Sequence, residues 1–528
     1  MPRQFNTAGR NIESDHYTLP PLARLPADIA DLIHGRFYFV LHAPRQSGKT
    51  TSMLALAEHL RQDGRYAVVF TSVANARTAH TEAEVVGDVV LSLQSAARDQ
   101  LPAAEQPPAE TADNKAEPRI RLYEFLRSWA LACRPLVLII DEIDCLQDDG
   151  LVSVLSQLRK GYPQRQTAFP HSVALFGMRA VRDYKVASGG SPNLGTSSPF
   201  NVGRDAVTVK YFNRDEIAQL YGQHTAETGQ AFSEQAIDSA WDFTRGQPYL
   251  VNALADMVVR KMAIGGTASS ADIEAAKERV ILERGTHFDS LAARLREDRV
   301  RRVLEPLLAG TLVTETLADD QQFCRDLGLI DSSQPPAIHN PIYREAIPRM
   351  LTANAQSNIP RADVRWTRPD GGLAIEVVRQ QFLEFWREHA EPFVQHETYR
   401  DAAVQLIAMA WLQRIVNGGG HILREYAAGS GRIDVLIRWP LDGHLLSERW
   451  ENHLIELKVW SDRHKKRDPR DQGLQQVAQY AARVLLLSAT LIIADRRAAA
   501  AEIDWEERAR VEGEAPEVGG VAVTVVRL

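Results

Sequence analysis

Cysteine is nearly absent from this chain: Cys133, Cys145 and Cys324 are the three among 528 residues. Their spacing suits neither a disulfide framework nor a zinc cluster, which fits a reducing compartment. Long apolar runs are missing too. No stretch reaches the roughly 18 continuous apolar residues of a membrane span, so no membrane partner is expected. The opening MPRQFNTAGRNIESDHY lacks the apolar core of a signal peptide, and a cytoplasmic chain is expected. Net positive charge is also absent, since 61 Lys+Arg face 68 Asp+Glu for a formal charge of −7. Any nucleic-acid contact must then come from local patches. What remains, 45% hydrophobic and 24% charged, is the balance of a soluble globular protein. A length of 528 residues exceeds one ordinary core and points to two to four domains.

A polar arm, 1–22, leads into alternating strand and helix patterns over 23–212. FYFVLHA, YAVVFTSV, PLVLIIDEID, HSVALFGMR and DAVTVKYF read as strands, with amphipathic helices between them. That alternation predicts an α/β fold with a parallel sheet covered on both faces. Residues 98–118 hold four prolines and few large apolar residues, the pattern of a flexible surface insertion. A helical lid is expected over 213–295, a winged helix over 296–351 and a polar linker over 352–375. Beyond it, 376–528 reads as a separate α/β domain; seven of the nine tryptophans lie after residue 360, enough for a core of its own.

Ala43-Pro-Arg-Gln-Ser-Gly48-Lys49-Thr50 joins a strand to a helix, with alanine where a phosphate-binding loop opens on glycine. Such a loop turns backbone N–H groups inward and closes on a helix N-terminus, which suits phosphates. Lys49 would reach the β- and γ-phosphates and Thr50, followed by Thr51, would ligate Mg²⁺. In LVLIIDE, Asp141 emerges at a strand end to hold the Mg²⁺ water shell, and Glu142 follows to deprotonate the attacking water. ATP and Mg²⁺ are therefore the expected cofactors.

Together with FGMR and RGQPY, these motifs resemble the AAA-like, STAND-type P-loop ATPases over roughly 20–350. The resemblance implies that Arg179 is a sensor near the γ-phosphate. It implies that Gly246 and Pro248 form the GxP turn that shapes the adenine pocket. It also implies that His339 reads the β-phosphate from the winged helix; a capping or surface histidine fits that position as well.

A second constellation follows: Gly431-Arg432-Ile-Asp434, then Leu-Ile-Glu456-Leu-Lys458. On adjacent strands these put two carboxylates and a lysine on one face, since 456 and 458 are two apart. That is hard-cation chemistry for phosphodiester hydrolysis, with Asp434 and Glu456 as Mg²⁺ ligands and Lys458 steadying the attacking water. The order helix, strand, Asp strand, ExK strand, helix resembles the PD-(D/E)xK nuclease fold. Gln476 and Tyr480 match the QxxxY helix of its exonuclease-like branches. The basic stretch 463–470 would hold a phosphate backbone, or form a solvated charge cluster. Over nearly the whole chain, HAPRQSGKTT, SPFNV, GQPYLVNALA, NPIYREAIPR and NGGGHILREYAAGSGRIDV are similar to bacterial and cyanobacterial ATP-binding proteins that join the two domains. The expectation is an ATP-binding switch controlling a nucleic-acid nuclease, DNA before RNA, in defence or mobile-element biology. A homo-oligomer or a partner protein is also expected. The alternative is a nucleotide-switched sensor or scaffold whose C-terminal fold binds without cleaving, its Glu456 and Lys458 forming a simple salt bridge.

Overall fold

The computed structural model describes residues 2–108, 117–146, 148–177, 203–308, 318–351, 366–391, 404, 406–408, 411–412, 421–428, 431–441, 449–460, 462, 467–512 and 516–528. The chain divides into two compact units, Met1–Val280 with Gln321–Ser332, and Ile281–Asp320 with Ser333–Leu528.

In the first unit, β1 (Tyr38–His42), β2 (Ala67–Ser72), β3 (Leu136–Asp141), β4 (Ser172–Gly177) and β5 (Gly203–Thr208) form one sheet in the order β2-β3-β4-β1-β5. Every neighbouring pair is parallel. Strands β1, β3 and β4 are buried along their whole length, as their unbroken apolar runs require when helices cover both faces. Alternate side chains sort to the two faces with the two-residue period of a strand. Tyr38, Val40 and Leu138 join a core with α3 (Glu82–Gln100), α4 (Pro118–Ala132) and α5 (Asp148–Gly161). Phe39, Leu41 and Ile139 pack with α1 (Ile29–His34) and α2 (Lys49–Gln62) on the other side. Helices α6 (Arg214–Thr228), α7 (Glu234–Thr244) and α8 (Pro248–Asp256) follow. Asn213 starts α6 with a capping box, its side chain accepting from the Glu216 amide.

The insertion expected over 98–118 is docked as far as residue 108, and 109–116 lie outside the described residues. Gln100 ends α3 by pairing both ways with the Phe70 backbone, at 2.9 and 2.7 Å. The Glu105 carbonyl accepts the Trp129 indole N–H at 2.8 Å. Polar groups make these contacts, so the scarcity of large apolar residues hid them.

Helices α9 (Ser270–Glu283), α10 (Thr286–Arg294), α11 (Asp298–Leu308), α12 (Ala318–Asp326) and α13 (Pro341–Leu351) span the winged-helix stretch and its approach. Residues 309–317 and the linker positions 352–365 lie outside the described residues. Within the first unit, Gln321–Ser332 lies against the phosphate loop. His42 Nε2 is 3.1 Å from Asp326 Oδ1, both side chains nearly inaccessible. Gly328, at φ +72°, sits so near Pro44 and Tyr211 that a Cβ would come within 2.8 Å of each.

The second unit is built on a mixed sheet of β6 (His421–Ala428), β7 (Gly431–Pro440), β8 (Trp450–Trp460), β9 (Ser488–Asp495), β10 (Arg510–Val511), β11 (Glu517–Val518) and β12 (Val521–Arg527). Its order is β10-β12-β9-β8-β7-β6, with β11 on β12. Strands β6, β7 and β8 form an antiparallel meander, and β9 then pairs parallel to β8. A parallel return needs a crossover, supplied by α15 (Arg470–Ala481) after α14 (Ile375–His389). One face of the sheet packs with α14 and the other with α15. Strand β12 lies parallel to β9 and was not anticipated from the sequence. Among the described residues no helix is long and apolar enough to cross a membrane.

His287 is buried in this unit, 2.7 Å from the Tyr343 hydroxyl and stacked on its ring. Burial pushes the imidazole down from 6.5 to about 4. Above pH 6.5 the ring is neutral both folded and unfolded and adds no pH dependence. Between 6.5 and about 4 only the unfolded chain takes up the proton, so stability falls with pH across that window. Denaturant melts at pH 7 and pH 5 check this: His287→Gln shrinks the difference between the two midpoints.

Candidate functional site

Gly48 ends the phosphate loop at φ +84°, in the left-handed region where glycine carries no strain, and caps α2. Lys49, Thr50 and Thr51 therefore occupy the first turn, at the positive end of the helix. Asp141 sits at the carboxyl end of β3 and is 3% exposed. It accepts the Thr50 hydroxyl at 2.9 Å on Oδ2, and Lys49 Nζ lies 3.2 Å from Oδ1. The two halves of the expected ATP site thus meet on one carboxylate.

Glu142 takes a left-handed conformation, φ 60° and ψ 32°, which turns the chain sharply after the strand. Its carboxylate accepts the Ser72 hydroxyl, with Arg77 Nη2 3.9 Å away. Sequence reasoning missed Ser72. The available signal was a polar residue closing β2, which the parallel register sets beside Asp141. Arg179 lies outside the described residues.

The RGQPY turn is fixed by its backbone. Gly246 adopts φ +75°, and a Cβ there would lie 1.7 Å from the Phe212 carbonyl oxygen. Its own carbonyl accepts the Phe212 N–H at 2.9 Å. Gln247, fully buried, caps α8 by accepting the Leu250 amide, and Pro248 takes the first helical position. Pro248 and Thr51 line the same cleft beside Ser47 and Gly48. The residues fit a nucleotide with Mg²⁺: the Ser47 hydroxyl is buried with no hydrogen-bond partner among the described residues, and the Lys49 ammonium rests on the carboxylate that holds Thr50.

In the second unit, Lys458 Nζ donates to Glu456 Oε1 at 2.6 Å, and Glu456 is 1% exposed. Val435 pairs with Ile455 across β7 and β8. One further step of that antiparallel register sets the Asp434 backbone opposite Glu456; the Asp434 side chain lies outside the described residues. Leu436 and Leu454, on the same face, pack with Val477 and the buried Tyr480 of α15. The Gln476 amide oxygen, one turn before Tyr480, is buried with no hydrogen-bond partner among the described residues. Among the described residues no three His, Cys, Asp or Glu side chains form a group that could hold a metal ion. His339 lies in this unit on the turn before α13, half-buried. Of the basic stretch, 463–466 lie outside the described residues, while Arg470 pairs with Glu512 at 2.8 Å.

Residues 33–184 match the protein family described as an AAA domain. No curated protein matches the chain. Among solved structures, the chain is similar to a Walker-type ATPase of Pyrococcus abyssi, at 15% identity over 65% of this chain and 99% of that one, with a TM-score of 0.46. It is also similar to Cdc6p from Pyrobaculum aerophilum, at 13% identity over 63% and 93%, TM-score 0.32. A third is the Thermotoga maritima RuvB Holliday junction branch migration motor, at 14% identity over 59% and 88%, TM-score 0.30. The matched residues and the joined Lys49–Thr50–Asp141 geometry define the class: this chain carries an AAA-type P-loop ATPase domain. Nucleotide binding belongs to that class, with Mg²⁺ its usual companion.

Lys49→Ala is expected to abolish ATP binding, measured by competition against a fluorescent ATP analogue. Glu142→Gln keeps binding but slows turnover about 10²–10⁴-fold, because an amide cannot take the proton from water. Equal turnover in wild type and Glu142→Gln removes Glu142 from its role.

Proposed function

We propose that the chain is an ATP-hydrolysing switch that governs a metal-dependent nucleic-acid phosphodiesterase in its second unit. In the first unit, Lys49 and the loop amides hold the phosphates, Thr50 and Asp141 hold the metal shell, and Glu142 receives the proton of the attacking water. Mg²⁺, when bound, neutralises charge on the phosphate oxygens. Ser72 bonds Oε2 of Glu142, so the carboxylate's other oxygen would be the one to take that proton.

The observation that carries the nuclease reading is the buried Glu456 carboxylate bonded to Lys458, one strand from Asp434 in register, on the face covered by α15. Burying a carboxylate is costly unless a cation or metal compensates it. Asp434 and Glu456 would hold the divalent ion, and Lys458 would move from Glu456 to the attacking water once the ion took over its charge. Gln476 and Tyr480 would orient the substrate. DNA is the substrate class proposed, and cytoplasmic defence against mobile DNA is the setting such an activity suits.

Coupling rests on Gln321–Ser332. Through His42–Asp326 and Gly328 beside Pro44, this segment touches the strand and loop that carry the nucleotide. A shift of the phosphate loop would move it, and His339 would report the β-phosphate. ATP can drive such a change only by binding one state better than ADP does.

Asp434→Ala is expected to eliminate Mg²⁺-dependent cleavage of labelled DNA while leaving ATP hydrolysis intact, since the two sites lie in separate cores. Cleavage as fast as wild type ends the nuclease reading. For the switch, cleavage in ATP, ADP and no nucleotide should differ; identical rates in all three rule it out.

A further inference from the structure

The amino ends of the first sheet's strands carry a row of basic residues, on the edge opposite the phosphate loop. Arg36 comes two positions before β1, Arg65 two before β2, Arg134 two before β3 and His171 one before β4. The parallel register lines them up. Ala67 pairs with Leu136, which sets Arg65 level with Arg134, and Tyr38 pairs with Val173, which sets Arg36 level with His171. In the strand order β2-β3-β4-β1 they therefore follow one another across the edge. At about 4.8 Å between strands the row spans about 14 Å. Local contacts hold it together. The Arg134 guanidinium donates to the Gly64 carbonyl, and the Tyr66 ring lies 5.1 Å from His171 and 5.9 Å from His34. Arg165, from the turn after α5, donates Nε to the Arg36 carbonyl and Nη1 to the Tyr162 carbonyl, both at 2.9 Å.

The row opens to solvent and is short of acid. Arg36 is exposed, and the side chains of Arg65 and Arg134 are 56% and 46% exposed. Asp63 pairs with Arg65 at 2.7 Å and Glu105 with Arg134 at 3.0 Å. Arg36 and Arg165 have no carboxylate partner among the described residues; two carbonyls and the Tyr162 ring, 3.8 Å away, hold Arg165. The crowding of cations shows in His171. Burial first, then Arg36, with His34 and Arg165 adding to it, pushes its imidazole down from 6.5 to about 4. The C-terminal ends of α1, α2 and α4 reach the same edge, and a helix end favours a cation within its last turn. That accounts for His34. Arg36, Arg65 and Arg134 lie beyond those turns, on the connections into the strands.

We propose that this edge is a docking surface for the phosphate backbone of DNA, separate from the ATP site and from the phosphodiesterase proposed for the second unit. Guanidinium forks suit phosphate, since each offers paired N–H donors to two oxygens and keeps its charge at any physiological pH. Arg165 is already held in place, so little side-chain freedom is lost when it is used. A row of about 14 Å matches about four steps of one DNA strand at about 3.4 Å each. Such contacts read charge and spacing and touch no base, so binding is independent of sequence. In a chain of formal charge −7 the attraction has to be local, and this edge supplies it. Cleavage by the second unit is not required for it.

The test is fluorescence anisotropy of a short labelled DNA duplex titrated with the full chain over a range of salt, in EDTA so that no metal-dependent cleavage intervenes. Wild type is expected to bind, more weakly as salt rises. Arg36→Ala combined with Arg165→Ala weakens binding about tenfold and lowers the salt slope by about two, one for each lost phosphate contact. Arg36→Ala alone, which removes no side-chain hydrogen bond among the described residues, lowers it by about one and keeps the test independent of folding. Arg36→Lys combined with Arg165→Lys keeps the charge and recovers most of the slope. ATP hydrolysis is unchanged in all three. Wild-type affinity and slope in both alanine variants overturn the proposal, as does a wild type that binds no DNA. Capture of polyglutamate or of phosphatidylserine vesicles in place of DNA assigns the edge to another partner and overturns it too.

Discussion

A single buried carboxylate organises the first unit. Asp141 is carried by a wholly apolar strand to the edge of the sheet, where it would be stranded without compensation. Desolvating a lone carboxylate costs several kcal/mol, and Lys49 and Thr50 offset that cost from the start of α2. The same pairing sets the loop between β1 and α2, because both residues must reach the strand end. Glu142 follows at once, and its left-handed backbone presents it to Ser72 at the end of the neighbouring strand. Parallel strands place all these groups at one edge, where their carboxyl ends converge.

The second unit solves a similar problem with different parts. Glu456 is nearly inaccessible in the middle of a mixed sheet and is held by the lysine two residues on. An antiparallel meander sets the Asp434 strand beside it, and the parallel return to β9 brings α15 over the same face. In both units an acid at a strand is tied to a lysine nearby. A cation arriving at either site would have to take over the charge that the lysine now balances.

Much of this was legible in the sequence. Strands β1 to β4 of the first sheet follow from their apolar runs, while β5, GRDAVT, carries a weaker signal, and the Walker loop follows from a glycine before Lys49 at a strand-to-helix junction. Glu456 and Lys458 share a face because strand side chains alternate, a rule that needs no tertiary information. What stayed hidden depends on polar contacts between distant segments. The arm's Asn11 meets Thr51 across forty positions, and Gln100 docks on Phe70 through an amide that no hydrophobic pattern signals. Gln321–Ser332, within the stretch expected as a winged helix, is tied to β1 by a buried histidine–aspartate contact that no sequence pattern signals. Strand β12 was passed over because its short alternating run lies apart from any motif.

If Asp141 is a nucleotide–metal node rather than the end of an ordinary buried strand, ATP binding must depend on both Asp141 and Mg²⁺. Calorimetric titration of ATP into the intact chain, with and without Mg²⁺, tests this most directly. One nucleotide per chain should bind more tightly with Mg²⁺ than without, and Asp141→Ala should erase the gain. No binding at millimolar ATP, or the same affinity with and without Mg²⁺ in the wild type, would contradict it.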